Sequence, residues 1–144
     1  MIASLKRLDP AAPVEGAFWK LFVTLPEKTQ FLGGRDRAQF GWALIAKGIA
    51  IMAPKAHDGM VSVGTALARE GYSELRLSRF LDTPTEGIGD EVIGIARFMA
   101  ARAAPFRWHD LARIVLFAAD DDHGKHVRVR VARDYYRTLH ALKK

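Results

Sequence analysis

Val127-Arg128-Val129-Arg130-Val131 alternates strictly between apolar and basic residues, which is the pattern of a half-buried strand. The continuation, Ala132 to Lys144, neither alternates nor contains a strand breaker. On a helix, His126, Arg130, Arg133, Arg137, His140 and Lys144 recur at spacings of four and three and form one polar, basic stripe. Val127, Val131, Tyr135 and Leu142 then lie on a neighbouring side and are expected in the core. One side for the core and one for a ligand is what a docked helix requires, so residues 125–142 are expected to be helical. No other stretch reads as a strand. The fold class is therefore all-α: a compact bundle of about seven helices, one domain over residues 1–144, with small lobes at about 1–82 and 83–144.

Working back from that helix, Asp120-Asp121-Asp122 and Gly124 read as a turn. Trp108 to Ala119 places Leu111, Ile114, Val115 and Ala118 on one side of a helix. Ile88, Val92, Ile95, Met99 and Ala103 form a single apolar stripe that Pro105 ends, with Thr85 as the expected cap. Ser73 is placed to cap a helix over 74–81, and a short helix over 62–70 should close at Gly71. Residues 54–60, with Asp58-Gly59, read as a loop. Asp36 is expected to cap a helix running to Ala53 and closed by Pro54. Gly33-Gly34 is expected to turn, and residues 14–25 form the first confident helix, stopped by Pro26. Gly41, Gly48 and Gly94 each cost about 1 kcal/mol against alanine inside a helix. They are expected where helices approach closely.

The chain has 144 residues, enough to bury a core without crosslinks, and no cysteine. That excludes a disulfide scaffold and a cysteine-type zinc site, and it fits a reducing cytoplasm. The longest apolar run, Trp42 to Ala53, contains Lys47 and is too short to span a bilayer, and no signal-peptide core is visible at the start. The net charge is +6 and sits at one end. Residues 123–144 carry seven basic side chains (Lys125, Arg128, Arg130, Arg133, Arg137, Lys143 and Lys144) against one acid, Asp134, which leaves residues 1–122 neutral overall. A local positive surface of this kind suits an anionic partner such as nucleic acid.

No catalytic signature stands out. Gly33-Gly34 lacks the rest of a phosphate-binding loop, Gly87-Ile88-Gly89 lacks the context of a dinucleotide site, and no serine has a base assigned to it by sequence. No cofactor and no small-molecule substrate are implied. The one group with metal chemistry in it is Asp120, Asp121, Asp122, His123 and His126, with His109 and Asp110 upstream. A metal-dependent hydrolase built on Asp120, Asp121, His123 and His126 is one alternative function. A helical scaffold that binds an acidic protein is another. Trp19, Trp42 and Trp108 fall within apolar patterns and are expected in the core. Tyr135 and Tyr136 point about 100° apart on a helix, so at most one can stack on a base. The basic residues form three groups: Lys6 and Arg7; Arg76 and Arg79, three apart on one helix face; and the stripe of the last helix. Point charges and guanidinium forks of this kind bind phosphates without reading sequence. Arg76 and Arg79 have the alternative of salt bridges to Glu70 or Glu74.

Four blocks together resemble the CasB family, the small α-helical subunits of the type I-E CRISPR complex Cascade. They are Leu5-Lys6-Arg7-Leu8 with residues 16–22, residues 62–69 with 73–81, residues 106–113, and residues 127–136. The resemblance covers most of the chain. It implies a two-lobed, non-catalytic subunit in the cytoplasm, assembled with other Cascade subunits and a second copy of itself. Its partners there are guide RNA and target DNA, including the displaced strand. Family basic residues map onto Lys6, Arg7, Arg76, Arg79, Lys125, Arg128 and Arg130. Family members usually have a further helix before the Lys-Arg block, so the resemblance implies that part of the first lobe is either missing or supplied by a neighbouring subunit.

Overall fold

The computed structural model describes residues 1–32, 34–117 and 121–143. In chain order the helices are α1 (Ile2–Lys6), α2 (Gly16–Phe22), α3 (Glu27–Gln30), α4 (Arg35–Met52), α5 (Val63–Arg69), α6 (Glu74–Asp82), α7 (Ile88–Ala101), α8 (His109–Leu116) and α9 (Asp122–Leu142). A single 3₁₀ turn, Thr85–Gly87, precedes α7. The fold is all-α, with 69% of the residues helical and nine helices among the described residues rather than the roughly seven expected. The extra two are the short α1 and α3, each less than two turns long and too brief to show an apolar period.

Three local helix signals hold. The Ser62 hydroxyl accepts from the Thr65 amide and starts α5, and the Ser73 hydroxyl accepts from the Arg76 amide and starts α6. Gly71 closes α5 with φ +79°. Two expected caps do not form. Helix α4 starts behind Gly34, at φ +104°, so Asp36 falls inside the first turn, where its charge still favours the helix dipole. Helix α7 starts behind Gly87 with no side-chain cap, because the 3₁₀ turn occupies the position expected for Thr85. Gly124 lies inside α9, which begins at the acidic residues themselves.

Two short strands are the larger correction. Residues 57–62, read as mostly loop, form β1 (His57–Ser62), which pairs in parallel with β2 (Phe106–Arg107). The pairing is irregular between His57 and Ser62, where Asp58 Oδ1 accepts the Met60 amide 2.9 Å away. A parallel pair needs a long crossover, and α5, α6 and α7 supply it. Neither strand alternates in hydrophobicity, so the pairing is a tertiary event. The Trp108 indole, donating 2.8 Å to the Ala56 carbonyl, fixes one end of it.

The main core unites Leu44, Met52, Val63, Leu67, Phe80, Ile88, Val92, Ile95, Met99, Leu111, Ile114, Val127, Val131 and Tyr135. A smaller cluster of Leu5, Leu8, Phe18, Phe22, Ala43 and Ala50 joins α1 and α2 to α4. Helix α4 turns its alanines to that cluster. On the opposite face, Gly41 lies under Leu116 and Gly48 under the ring of Trp108, where an added Cβ would come within 2.7 and 2.6 Å. Helix α9 lies along α5, with α8 and α6 also against it. The closest approach is at Gly64, where a Cβ would strike the Val131 carbonyl oxygen. Gly94 has open space around it instead of a neighbouring helix. Ala103 lies beyond α7 at φ +50° and is exposed, and Leu142 and Val14 are exposed rather than core. Trp108 is buried, whereas Trp19 and Trp42 are half-buried, their indoles donating to the carbonyls of Pro13 and Thr29.

Candidate nucleic-acid interface

The site is built on a buried carboxylate. Asp110, in the first turn of α8, is only 2% exposed. Arg130 of α9 grips it with Nε at 3.1 and 3.2 Å from the two carboxylate oxygens and Nη2 at 2.7 Å from Oδ1. Arg113, one turn along α8, holds Nη1 3.7 Å from the same Oδ1. The hydrogen bond to Asp110 holds the Arg130 guanidinium above its ordinary value, against the opposing effect of burial. Arg107 and His109 complete an open depression of about 480 Å³ lined by Arg107, His109, Asp110, Arg113 and Arg130. Arg113 and Arg130 against one carboxylate leave a net positive charge, and Arg107, which lines the same depression, joins no ion pair among the described residues. The carboxylate orients two of the forks, so less freedom is lost when they meet an anion. The His57 ring stands 6.1 Å from that of His109 at the margin.

This depression borders the outer face of α9. Lys125, His126, Arg133, Tyr136, Arg137 and His140 are all exposed there, together with Val129. Arg133 makes a 3.5 Å contact with Asp134, an exposed pair that holds it weakly. Lys144 lies outside the described residues. Of the two adjacent tyrosines, Tyr135 is buried and donates its hydroxyl to the Tyr72 carbonyl, while Tyr136 is 47% exposed and available for stacking.

A second group of arginines lies on the other flank of α9. The Arg76 guanidinium stands 5.8 Å from the ring centres of both Tyr72 and Phe98, and Arg102 stacks on Phe98 at 3.6 Å. Arg102 is further fixed by donating to the carbonyls of Glu70 and Phe98, each at 3.2 Å. Arg79 lies one turn beyond Arg76 and is exposed. Among the described residues neither Arg76 nor Arg79 pairs with Glu70 or Glu74.

Other sequence-selected residues lie elsewhere. Arg128 turns inward and is 9% exposed, with Nη1 donating 2.7 Å to the Leu81 carbonyl and 3.4 Å to that of Phe80 at the end of α6. Burial lowers its guanidinium below the ordinary value. Lys6 ends α1 and Arg7 follows it; both are exposed, and α1 packs on α4 rather than on α8 or α9. In the acidic turn, Asp121 caps α9 by accepting the His123 amide at 2.8 Å. His126 bonds the Asp122 carbonyl through Nδ1, and the His123 ring packs 4.4 Å from Phe117. Asp120 lies outside the described residues. Among the described residues no three His, Asp or Glu side chains are grouped as for a metal ion.

Arg107, His109, Arg113 and Arg102 were not among the sequence-selected binding residues. Asp110 and Arg113, three apart at the start of an apolar helix, carried the only local signal: an acid placed to face inward with a base beside it.

No helix among the described residues is long and apolar enough to cross a membrane. A family model described as CRISPR-associated protein Cse2 matches residues 1–136. No curated protein and no solved structure matches the chain.

Proposed function

Because the chain belongs to the Cse2 (CasB) family of structural Cascade subunits, we propose that it serves that complex by holding nucleic-acid backbones without reading their sequence. One observation carries this reading: Arg107, Arg113 and Arg130 line one depression with buried Asp110, beside the basic outer face of α9. Guanidinium forks at fixed positions suit phosphate oxygens, which accept two parallel hydrogen bonds. Nothing in the cluster is shaped to tell one base edge from another. Tyr136 adds a ring on which any base can stack. Opening a DNA duplex against a guide is nearly balanced in free energy, so contacts to backbones tip the balance. This work requires positive charge and shape and no catalysis. Lys125, Arg133 and Arg137 extend the surface along α9. Arg128 supports it from within by fixing the end of α6. The partners in this reading are guide RNA, target DNA, the other Cascade subunits and a second copy of the chain.

The test is binding of fluorescent single- and double-stranded oligonucleotides of unrelated sequence, over a series of salt concentrations. The expected result is equal affinity across sequences, with log K falling against log salt by roughly 0.7 to 0.9 for each phosphate contacted. An affinity that ignores salt, or that follows sequence, overturns the reading.

A further inference from the structure

We infer that the groove between α1, α2 and α4 seats an amphipathic helix of another protein, apolar on its inward side and acidic along its flanks. This does not rest on the backbone-binding reading above, because the groove shares no residue with the depression at Asp110.

Helix α4 is apolar on two sides. Leu44 and Met52 belong to the main core, and Gly41 and Gly48 lie against Leu116 and Trp108. A second stripe, Trp42, Ile45, Ala46, Ile49, Ala50 and Ala53, recurs with the period of a helix packed against another helix. Helices α1 and α2 pack on α4 there but are only five and seven residues long. Between the three lies an open groove of about 320 Å³. On its walls and floor Ile2 of α1 stays 49% exposed, Leu21 of α2 45% and Ile49 of α4 36%. Large apolar side chains exposed together mark an interaction site, whereas single ones are ordinary surface. Along α4 the stripe runs for roughly 16 Å, about three helical turns.

The chemistry of the groove narrows its occupant. Every lining side chain is apolar, and the one nitrogen among them, in the Trp42 indole, already donates 3.0 Å to the Thr29 carbonyl. These side chains offer no hydrogen bond to an extended peptide, whose amides and carbonyls would be buried unpaired at a cost. A helix pairs its own backbone and brings only an apolar stripe, which is how helix-in-groove recognition works. Charge sets the flanks. Among the charged residues within two positions of a lining residue, Lys6, Arg7, Lys20, Lys47 and Lys55 are basic and Glu27 alone is acidic. Lys47 is engaged, 2.7 Å from the Leu8 carbonyl, while the other four basic residues are exposed. A positive rim around an apolar floor complements an acidic helix and repels a basic one. It also opposes a second copy of the chain docked groove to groove, because a two-fold pairing sets like rims against each other.

The experiment titrates the full chain against labelled helical peptides and reads fluorescence anisotropy. The first peptide carries leucines at i, i+3, i+4 and i+7 with glutamates on both flanks. The second replaces the glutamates with lysines, and the third adds a central proline that breaks the helix. The expected result is that the glutamate peptide binds, and that the lysine and proline peptides bind at least about tenfold more weakly at low salt. The paired variant Leu21→Gln with Ile49→Gln changes two exposed positions, and thermal melting confirms that it remains folded. It should lose the glutamate peptide and keep the oligonucleotide affinity of the wild type. Equal binding of the lysine peptide overturns the acidic partner, and equal binding of the proline peptide overturns the helix. A wild-type dimer in sedimentation that the paired variant dissociates makes a second copy the occupant and overturns the proposal. So does a failure of all three peptides to bind.

Discussion

Arg130 and Asp110, twenty residues apart in sequence, meet in a two-pronged ion pair whose shortest contact is 2.7 Å. The carboxylate is buried and the guanidinium is partly in water, with side-chain exposures of 3% and 35%. The pair therefore ties α9 to α8 while leaving one edge of the arginine for a ligand. A double-mutant cycle between Asp110→Asn and Arg130→Gln, read by urea denaturation, should give a coupling of about 1–2 kcal/mol. That is less than the 3–5 kcal/mol lost on breaking a fully buried pair, because Arg130 regains water when its partner is removed. Strict additivity of the two changes would mean that the pair contributes nothing.

Arg128 and Arg107 should separate stability from binding. Arg128→Ala removes the donor from the Phe80 and Leu81 carbonyls and should cost about 1–3 kcal/mol. Its effect on the oligonucleotide affinity of the folded chain should be small. Arg107→Ala removes a half-buried side chain of β2 that joins no ion pair among the described residues, so it should cost no more than about 1 kcal/mol, and it should weaken binding for every sequence tested. Melting curves and binding isotherms on the two variants check this. A binding loss in the Arg128 variant larger than that in the Arg107 variant would reverse the assignment.

Two helical glycines should respond to alanine with opposite sign. At Gly64 the new methyl meets the Val131 carbonyl oxygen, a backbone atom that cannot swing away, so Gly64→Ala should destabilise by about 1–3 kcal/mol. At Gly94 nothing lies within 4 Å of the new methyl. Gly94→Ala should therefore stabilise by about 1 kcal/mol through helix propensity alone. Denaturant midpoints of the two variants decide it, and a stabilised Gly64 variant would show that α5 and α9 are not so close.

Alkaline pH should loosen the fold through its buried tyrosines. Burial raises the phenols of Tyr72 and Tyr135 above the ordinary tyrosine value, with the Glu91 charge adding to the effect on Tyr72 and the Glu74 charge to that on Tyr135. A group whose value is raised by folding contributes stability that is complete below its unfolded value and is lost as pH climbs through the folded one. Stability should thus hold up to about pH 10 and fall above it. Tyr135→Phe, which also gives up the hydroxyl bond to Tyr72, should cost about 1 kcal/mol at neutral pH and make the alkaline decline shallower. Urea denaturation between pH 7 and 11 measures both effects, and parallel declines in wild type and variant would refute the role given to Tyr135.

How far the sequence could be read depended on the range of the signal. Ser62, Ser73 and Gly71 act within one helical turn, and each does what its residue type and position foretold. The stripe Ile88, Val92, Ile95 and Met99 is buried along its length because a helix repeats every few residues whatever packs against it. Thr85 and Asp36 missed their caps by a few residues, because a 3₁₀ turn and a left-handed glycine moved the helix starts. Strand β1 was invisible because His57, Asp58 and Gly59 have no alternation to read, and their partner lies at residue 106.

By itself, the sequence determined the all-α class, the helical reading of the Val-Arg alternation at residues 127–131, the concentration of positive charge in the last helix, and the resemblance that the family match bears out. These depend on composition and on short-range periodicity, which a chain carries before it folds. Only the tertiary structure decided which basic residues share a surface. Arg128 and Arg130 are two positions apart and look alike in sequence. A turn of roughly 200° between them sends one inward to the end of α6 and the other to Asp110. Arg107 and Arg113 join Arg130, and Arg102 joins Arg76, because burying the apolar faces of α5, α7, α8 and α9 in one core fixes where the polar edges meet.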